Sequence, residues 1–87
     1  MQELVEQPIV MDAVTSFVYV GTLERFDEEF FVLRDADVHD LRDTPTLTRE
    51  QYVLRCREHG HSANRLRVWV RRADVASMSR LQDVVIE

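Results

Sequence analysis

Three groups of residues in this sequence carry side chains that can do chemistry. In "FVLRDADVHDLRD", residues 31–43, Asp35, Asp37 and His39 fall at every second position. Carboxylate oxygen and imidazole nitrogen would suit a divalent cation. Alternate residues on one strand stand about 7 Å apart, however, so three in a row diverge instead of meeting on one ion. A solvated strand face is the expected outcome. Cys56, His59 and His61 spell C-x2-H-x-H. Zinc accepts such donors, but three without a second cysteine pair fall short of a site, and Cys56 reads as a small core hydrophobe. No metal and no cofactor are expected. Ser62, Ser77 and Ser79 lack a nucleophile elbow and a His-acid partner set, and the chain has no glycine-rich phosphate loop. An enzyme is therefore not expected.

The third group is Trp69 with Arg67, Arg71 and Arg72. Bases of single-stranded RNA stack on an aromatic ring or a guanidinium plane, worth about 1 to 3 kcal/mol per base, while neighbouring arginines neutralise phosphate. The competing reading packs Trp69 under a helix and pairs the arginines with an acidic neighbouring subunit.

The elements that must position these residues are short. Leu4 and Val5 lie in a stretch ended by Pro8 that suffices for one packed helical turn. From Ile9 the texture becomes β-branched and aromatic, in "IVMDAVT", "FVYVGTLERF" and "FFVLRDADV", and these read as strands. Gly21 within the second predicts a sharp bend or a close backbone approach. After Pro45, Thr48 followed by Gln51 makes a capping-box signature and Gly60 a stop, which predicts a helix over Arg49 to His59. Tyr52, Val53 and Cys56 would share its buried face, with Arg49, Glu50, Arg55 and Arg57 in water. "YVLRC" as a strand feeding a hairpin is the alternative. "RLRVWVRR" alternates, placing Leu66, Val68 and Val70 on one side and Arg65, Arg67, Trp69 and Arg71 on the other. A fifth strand is expected around Val75 to Met78, then an apolar segment Val84 to Ile86.

Eighty-seven residues make one expected domain, 1–87, near the lower size limit for a core without disulfides. Cys56 is the only cysteine, and no early apolar run resembles a secretion signal or a membrane span, so a reducing cytoplasm is the expected setting. The net charge of -5 conceals an asymmetry: residues 1–44 carry eleven acids and three arginines, residues 45–87 five acids and eight arginines. An acidic chain does not suit broad duplex binding, which rests on an extended basic face. All eleven basic residues are Arg. That suits bidentate and stacking contacts, although genomic base composition gives the same bias.

In strand order and in the residues within the strands, the sequence resembles the Sm and Sm-like (LSm) family, in the manner of a divergent bacterial or viral member. "YVGTLERFDEEFFVLRDAD" supplies Gly21, Phe26, Asp27, Leu33, Asp35 and Ala36 of its first motif; "VWVRRADVASM" supplies Val70, Arg71, Val75 and Met78 of its second. The match spans roughly residues 9–40 and 66–79. It departs from the family where the base-binding Asn is missing, with Glu29, Phe30 and Phe31 in its neighbourhood, and where Arg72 replaces the Gly of the Arg-Gly pair. The resemblance implies an all-β chain, a strongly bent five-stranded antiparallel sheet closed as a small SH3-like barrel, with a short N-terminal helix. A helix is inserted between strands 3 and 4. It further implies a cyclic homo-oligomer, the fourth strand of one subunit meeting the fifth of the next, and single-stranded RNA bound at the pore rim. The RNA-binding residues would be Asp27, Phe30, Phe31, Trp69, Arg71 and Arg72, with Asp27 orienting its loop and Arg71 stacking on a base. An oligomeric protein scaffold that has lost RNA binding is the second expectation.

Overall fold

Five strands and one helix account for most of residues 1–86, which the computed structural model describes. The strands are β1 (Pro8–Ala13), β2 (Phe17–Phe26), β3 (Phe30–Asp40), β4 (Arg65–Arg71) and β5 (Val75–Arg80), and the helix is α1 (Arg49–His59). All pair antiparallel in one sheet of order β4-β3-β2-β1-β5, so β4 and β5 are its two edges. The expected N-terminal helix is a single 3-10 turn, Gln2–Leu4, whose Leu4 and the following Val5 pack on the core.

The sheet bends because its ladders are interrupted at defined residues. Between β2 and β3, Val20 faces Asp37 and Thr22 faces Arg34, so β3 carries one extra residue opposite Gly21. Asp35 takes up the excess with φ 50, the left-handed backbone that Asp tolerates better than most residues. A second shift, between Leu23 and Arg25, leaves Glu24 as the extra residue on β2. At Gly21 the strands touch so closely that an added Cβ would stand 3.0 Å from the Ala36 Cα and Cβ and 3.1 Å from the Arg34 carbonyl oxygen. The bend expected at this glycine is present.

Bending gives the sheet two buried sides. The concave side holds Ile9, Met11, Leu23, Phe31, Leu33, Ala36 and Val70, with Val68, Val75 and Met78 at its margin. The convex side of β1 and β2 presents Val10, Val18 and Val20 to Tyr52, Val53 and Cys56 of α1. Two layers on one small sheet explain why β1 reads as a continuous apolar run, since Ile9, Val10 and Met11 are all buried.

The helix, not the hairpin, is what forms over residues 49–59, and the predicted capping box is complete. The Thr48 hydroxyl accepts from the Gln51 amide at 3.1 Å, and the Gln51 side-chain carbonyl accepts from the Thr48 amide at 2.8 Å. Gly60 ends the helix at φ 81. Two residues expected in water are not fully so. Arg49 is half-buried, and its guanidinium donates to the carbonyls of Phe17 and Thr15, each at 3.2 Å, and to Asp12 at 3.3 Å. It thereby pins the start of α1 to the β1–β2 turn. Arg57 is also half-buried. Along β4 the expected apolar side is only partly covered: Val70 is buried, Val68 half-buried, and Leu66 84% exposed. The barrel's inner core ends before Leu66, and α1 covers the opposite side of the sheet.

Candidate nucleic-acid interface

The first residue cluster is taken apart by the bulge. Asp35, at the bulge, is exposed, and its carbonyl oxygen lies 2.9 Å from His61 Nε2. Asp37 and His39 lie beneath α1. The Tyr52 hydroxyl donates to Asp37 Oδ2 at 2.7 Å, and the His39 ring stacks on Tyr52 with centroids 4.4 Å apart and planes 6° from parallel. Burial and the bond to Asp37 raise the Tyr52 pKa, so the hydroxyl stays a donor. Asn64 completes the cluster, its side-chain amide pairing with both backbone groups of Val38 at 3.0 Å. Cys56 lies in the same packed layer, and burial pushes its thiol pKa up. These residues hold α1 to the sheet. Among the described residues none of the His, Cys, Asp and Glu side chains gather into a metal-binding group.

The turn between β2 and β3 is built by Asp27. Its Oδ1 accepts from the Phe30 amide at 2.7 Å and the Glu29 amide at 2.8 Å, while its own amide donates to the Phe30 carbonyl at 2.9 Å. Those two N–H groups hold the Asp27 carboxyl below its usual pKa. The end of β4 is fastened to this turn through Arg72. The Arg72 amide donates to the Glu29 carbonyl at 2.9 Å, and its guanidinium donates to the Asp27 carbonyl at 2.7 Å. The same guanidinium lies 5.0 Å from the Phe31 ring centre and 5.9 Å from that of Phe26. Arg72 is therefore committed to the turn, and Phe31, 4% exposed, is a core residue beneath it.

What the turn presents outward is different. Phe30, half-buried, is directly paired with Arg71, so the two side chains share one side of the sheet. Arg71 is exposed, and among the described residues its side chain makes no hydrogen bond or ion pair. Asp27, Glu28, Glu29 and Phe30 line a shallow depression beside it. Trp69, two residues back on the same side of β4, is 52% exposed. The Arg25 guanidinium lies 5.9 Å from its ring centre. Arg67, next in the row, is held by a two-pronged bond to Glu24, both contacts at 3.0 Å. Trp69 thus does not lie under its own helix. Arg25 is the member of this surface that sequence reasoning missed, because the Glu24 bulge that brings it opposite Val32, and so beside Trp69, leaves no mark on strand alternation.

No protein-family model matches the chain, and no curated protein matches it in sequence. Among solved structures it is similar to the Sm protein of Pyrococcus abyssii in complex with a uridine heptamer. The two share 15% identity, with a TM-score of 0.59 over 91% of this chain and 89% of that chain. At that identity what is shared is the fold. Strand order, bent sheet, Asp27 turn and the similar solved structure agree with the resemblance read from the two sequence motifs: this chain has an Sm-like fold.

Proposed function

We propose that residues 1–87 form one non-enzymatic, ring-forming Sm-like module that binds short single-stranded RNA at the rim made by the Asp27–Phe30 turn and the end of β4. The observation that carries this reading is Arg71, an exposed guanidinium without a partner among the described residues, set beside the half-exposed Phe30 ring on a turn tied down from both sides. An unpaired planar cation next to an aromatic edge can take one base by stacking and one phosphate by charge. The uridine heptamer in the similar Sm protein makes uridine-rich strands the first to try. Asp27 and Arg72 act as supports that fix the turn. Trp69 extends the same side of β4.

Assembly follows from the edges. Among the described residues, β4 and β5 each have a strand neighbour on one side only, leaving a row of backbone N–H and C=O groups at each edge, and an identical neighbour that joins β4 to β5 completes both rows. A head-to-tail contact of that kind closes as a cyclic homo-oligomer. The setting we propose is the cytoplasm, where the single buried thiol of Cys56 stays reduced.

Glu28 and Glu29 favour a second reading, since both are exposed in the depression beside Arg71 and repel phosphate. In that reading the ring is a protein scaffold. Fluorescence anisotropy with oligo-U and oligo-A at low and moderate salt separates the two. The RNA reading expects micromolar or tighter binding that Arg71→Ala weakens by roughly tenfold or more, the value of about one lost stacking contact. Absence of binding to any single strand at low salt leaves the scaffold.

A further inference from the structure

Two features of the surface have no use within one copy of the chain. Leu66 is 84% exposed, the highest value among the exposed large hydrophobic residues of the described chain, although its partners in the alternation, Val68 and Val70, turn toward the core. On the far side of the molecule a groove opens between α1, the β1–β5 pair and the segment after β5. Its apolar walls are Val10, Val53, Leu54, Val84 and Val85. Val85 is 76% exposed. The groove lies on the convex side of the sheet, because Ser79 pairs directly with Val10 and both line it.

We infer that Leu66 of one copy seats in this groove of the next, so that the inserted helix α1 forms part of the junction between copies. The inference rests on the ring reading proposed above and adds to it which side of each sheet meets which. Because neighbouring strands alternate in direction, β4 and β5 run the same way at opposite edges of the five-stranded sheet. An antiparallel join of β5 to the next copy's β4, the commoner kind of pairing, therefore turns the second sheet over relative to the first. The convex side of the first, with Ser77, Ser79 and the groove, then continues into the side of the second that carries Leu66, Val68 and Val70. An exposed leucine thus arrives at an open apolar groove beside the edge it joins. The groove's ionisable lining is Asp12 and Glu50, with no base, and the incoming strand carries Arg65, Arg67 and Arg71 on its other side and no acid, so the two edges are opposite in net charge while the contact at the groove itself is apolar. Arg49 neutralises part of Asp12 at 3.3 Å.

Native mass spectrometry over a dilution series tests this with Leu66→Lys on the strand and Val85→Lys in the groove. Both positions are exposed, so folding is not at risk, and circular dichroism verifies it. Each variant should raise the concentration for half-dissociation by about tenfold or more, the worth of one buried leucine side chain per junction. The double variant Leu66→Lys with Val85→Glu should recover part of the loss, since each copy then supplies both members of a new ion pair. A wild-type chain that stays monomeric overturns the ring reading and this inference together. A wild-type oligomer that both folded single variants match, or that Val85→Lys alone leaves intact, overturns the inference and leaves the ring standing.

Discussion

At Gly21 one hydrogen atom separates a bent sheet from a clash. The contacts an added Cβ would make are with the Ala36 backbone and Cβ and the Arg34 carbonyl, none of which is the free end of a flexible side chain. Gly21→Ala should therefore cost about 1 to 3 kcal/mol, the usual range for overpacking, read as a fall in the urea midpoint at unchanged slope. Asp27 offers a second single-residue measurement. Its carboxyl is held below the ordinary value of 3.8 first by the Phe30 amide and then by the Glu29 amide. A depressed folded pKa contributes stability that is present above the unfolded value and lost as pH falls through the folded one. Stability should thus decline as pH drops below about 4, and Asp27→Asn, which keeps an acceptor but not the charge, should flatten that decline in urea titrations at several pH values. Both residues were legible as motif positions. The burial of Phe31 and the bond from the Arg72 guanidinium to the Asp27 carbonyl were not legible, because strand alternation places side chains on a face without saying which face is closed.

The inserted helix shows what decides an element when its apolar pattern is short. Residues 49–59 hold only three fully buried side chains, Tyr52, Val53 and Cys56, too few to separate a helix from a strand by periodicity. The local chemistry of the ends decides it. Thr48 and Gln51 satisfy two amides that a helix start would otherwise leave bare, and Gly60 takes the positive φ of the stop. Thr48→Ala should cost about 1 kcal/mol of stability, and hydrogen exchange should rise first in the opening turn of α1 if the cap has this role. The strands fared differently. Their existence and order could be read from β-branched runs and from the family resemblance, while the bulges at Asp35 and Glu24 could not, because an extra residue in a ladder is visible only when the partner strand is seen. Those bulges separate Asp35 from Asp37 and His39 and bring Arg25 to Trp69, so an even spacing in the sequence is broken in the fold and an unsuspected pair forms.

For the whole molecule, the proposed ring and the proposed RNA site would respond to salt in opposite directions. Each copy carries -5, so closing several copies into one ring gathers like charge over distances longer than the screening length, while the groups that meet at a junction are in contact. Screening at physiological ionic strength acts over about 8 Å, and so weakens the long-range repulsion more than it weakens contact pairs or apolar burial. Raising salt from a low to a physiological concentration should therefore tighten assembly. RNA binding at Arg71 should move the other way, because each neutralised phosphate on a single strand releases condensed ions and lowers log K by about 0.7 per tenfold rise in salt. With Arg67 already held by Glu24 and Arg72 by the Asp27 turn, each copy brings few free cations, and the slope per copy should be shallow. Sedimentation velocity and anisotropy on the same salt series read the two trends separately. A steep loss of RNA affinity would mean that phosphate is bound over a wider face than the rim beside Arg71; assembly that loosens with salt would mean that ion pairs, not edge pairing and buried apolar surface, hold the copies together.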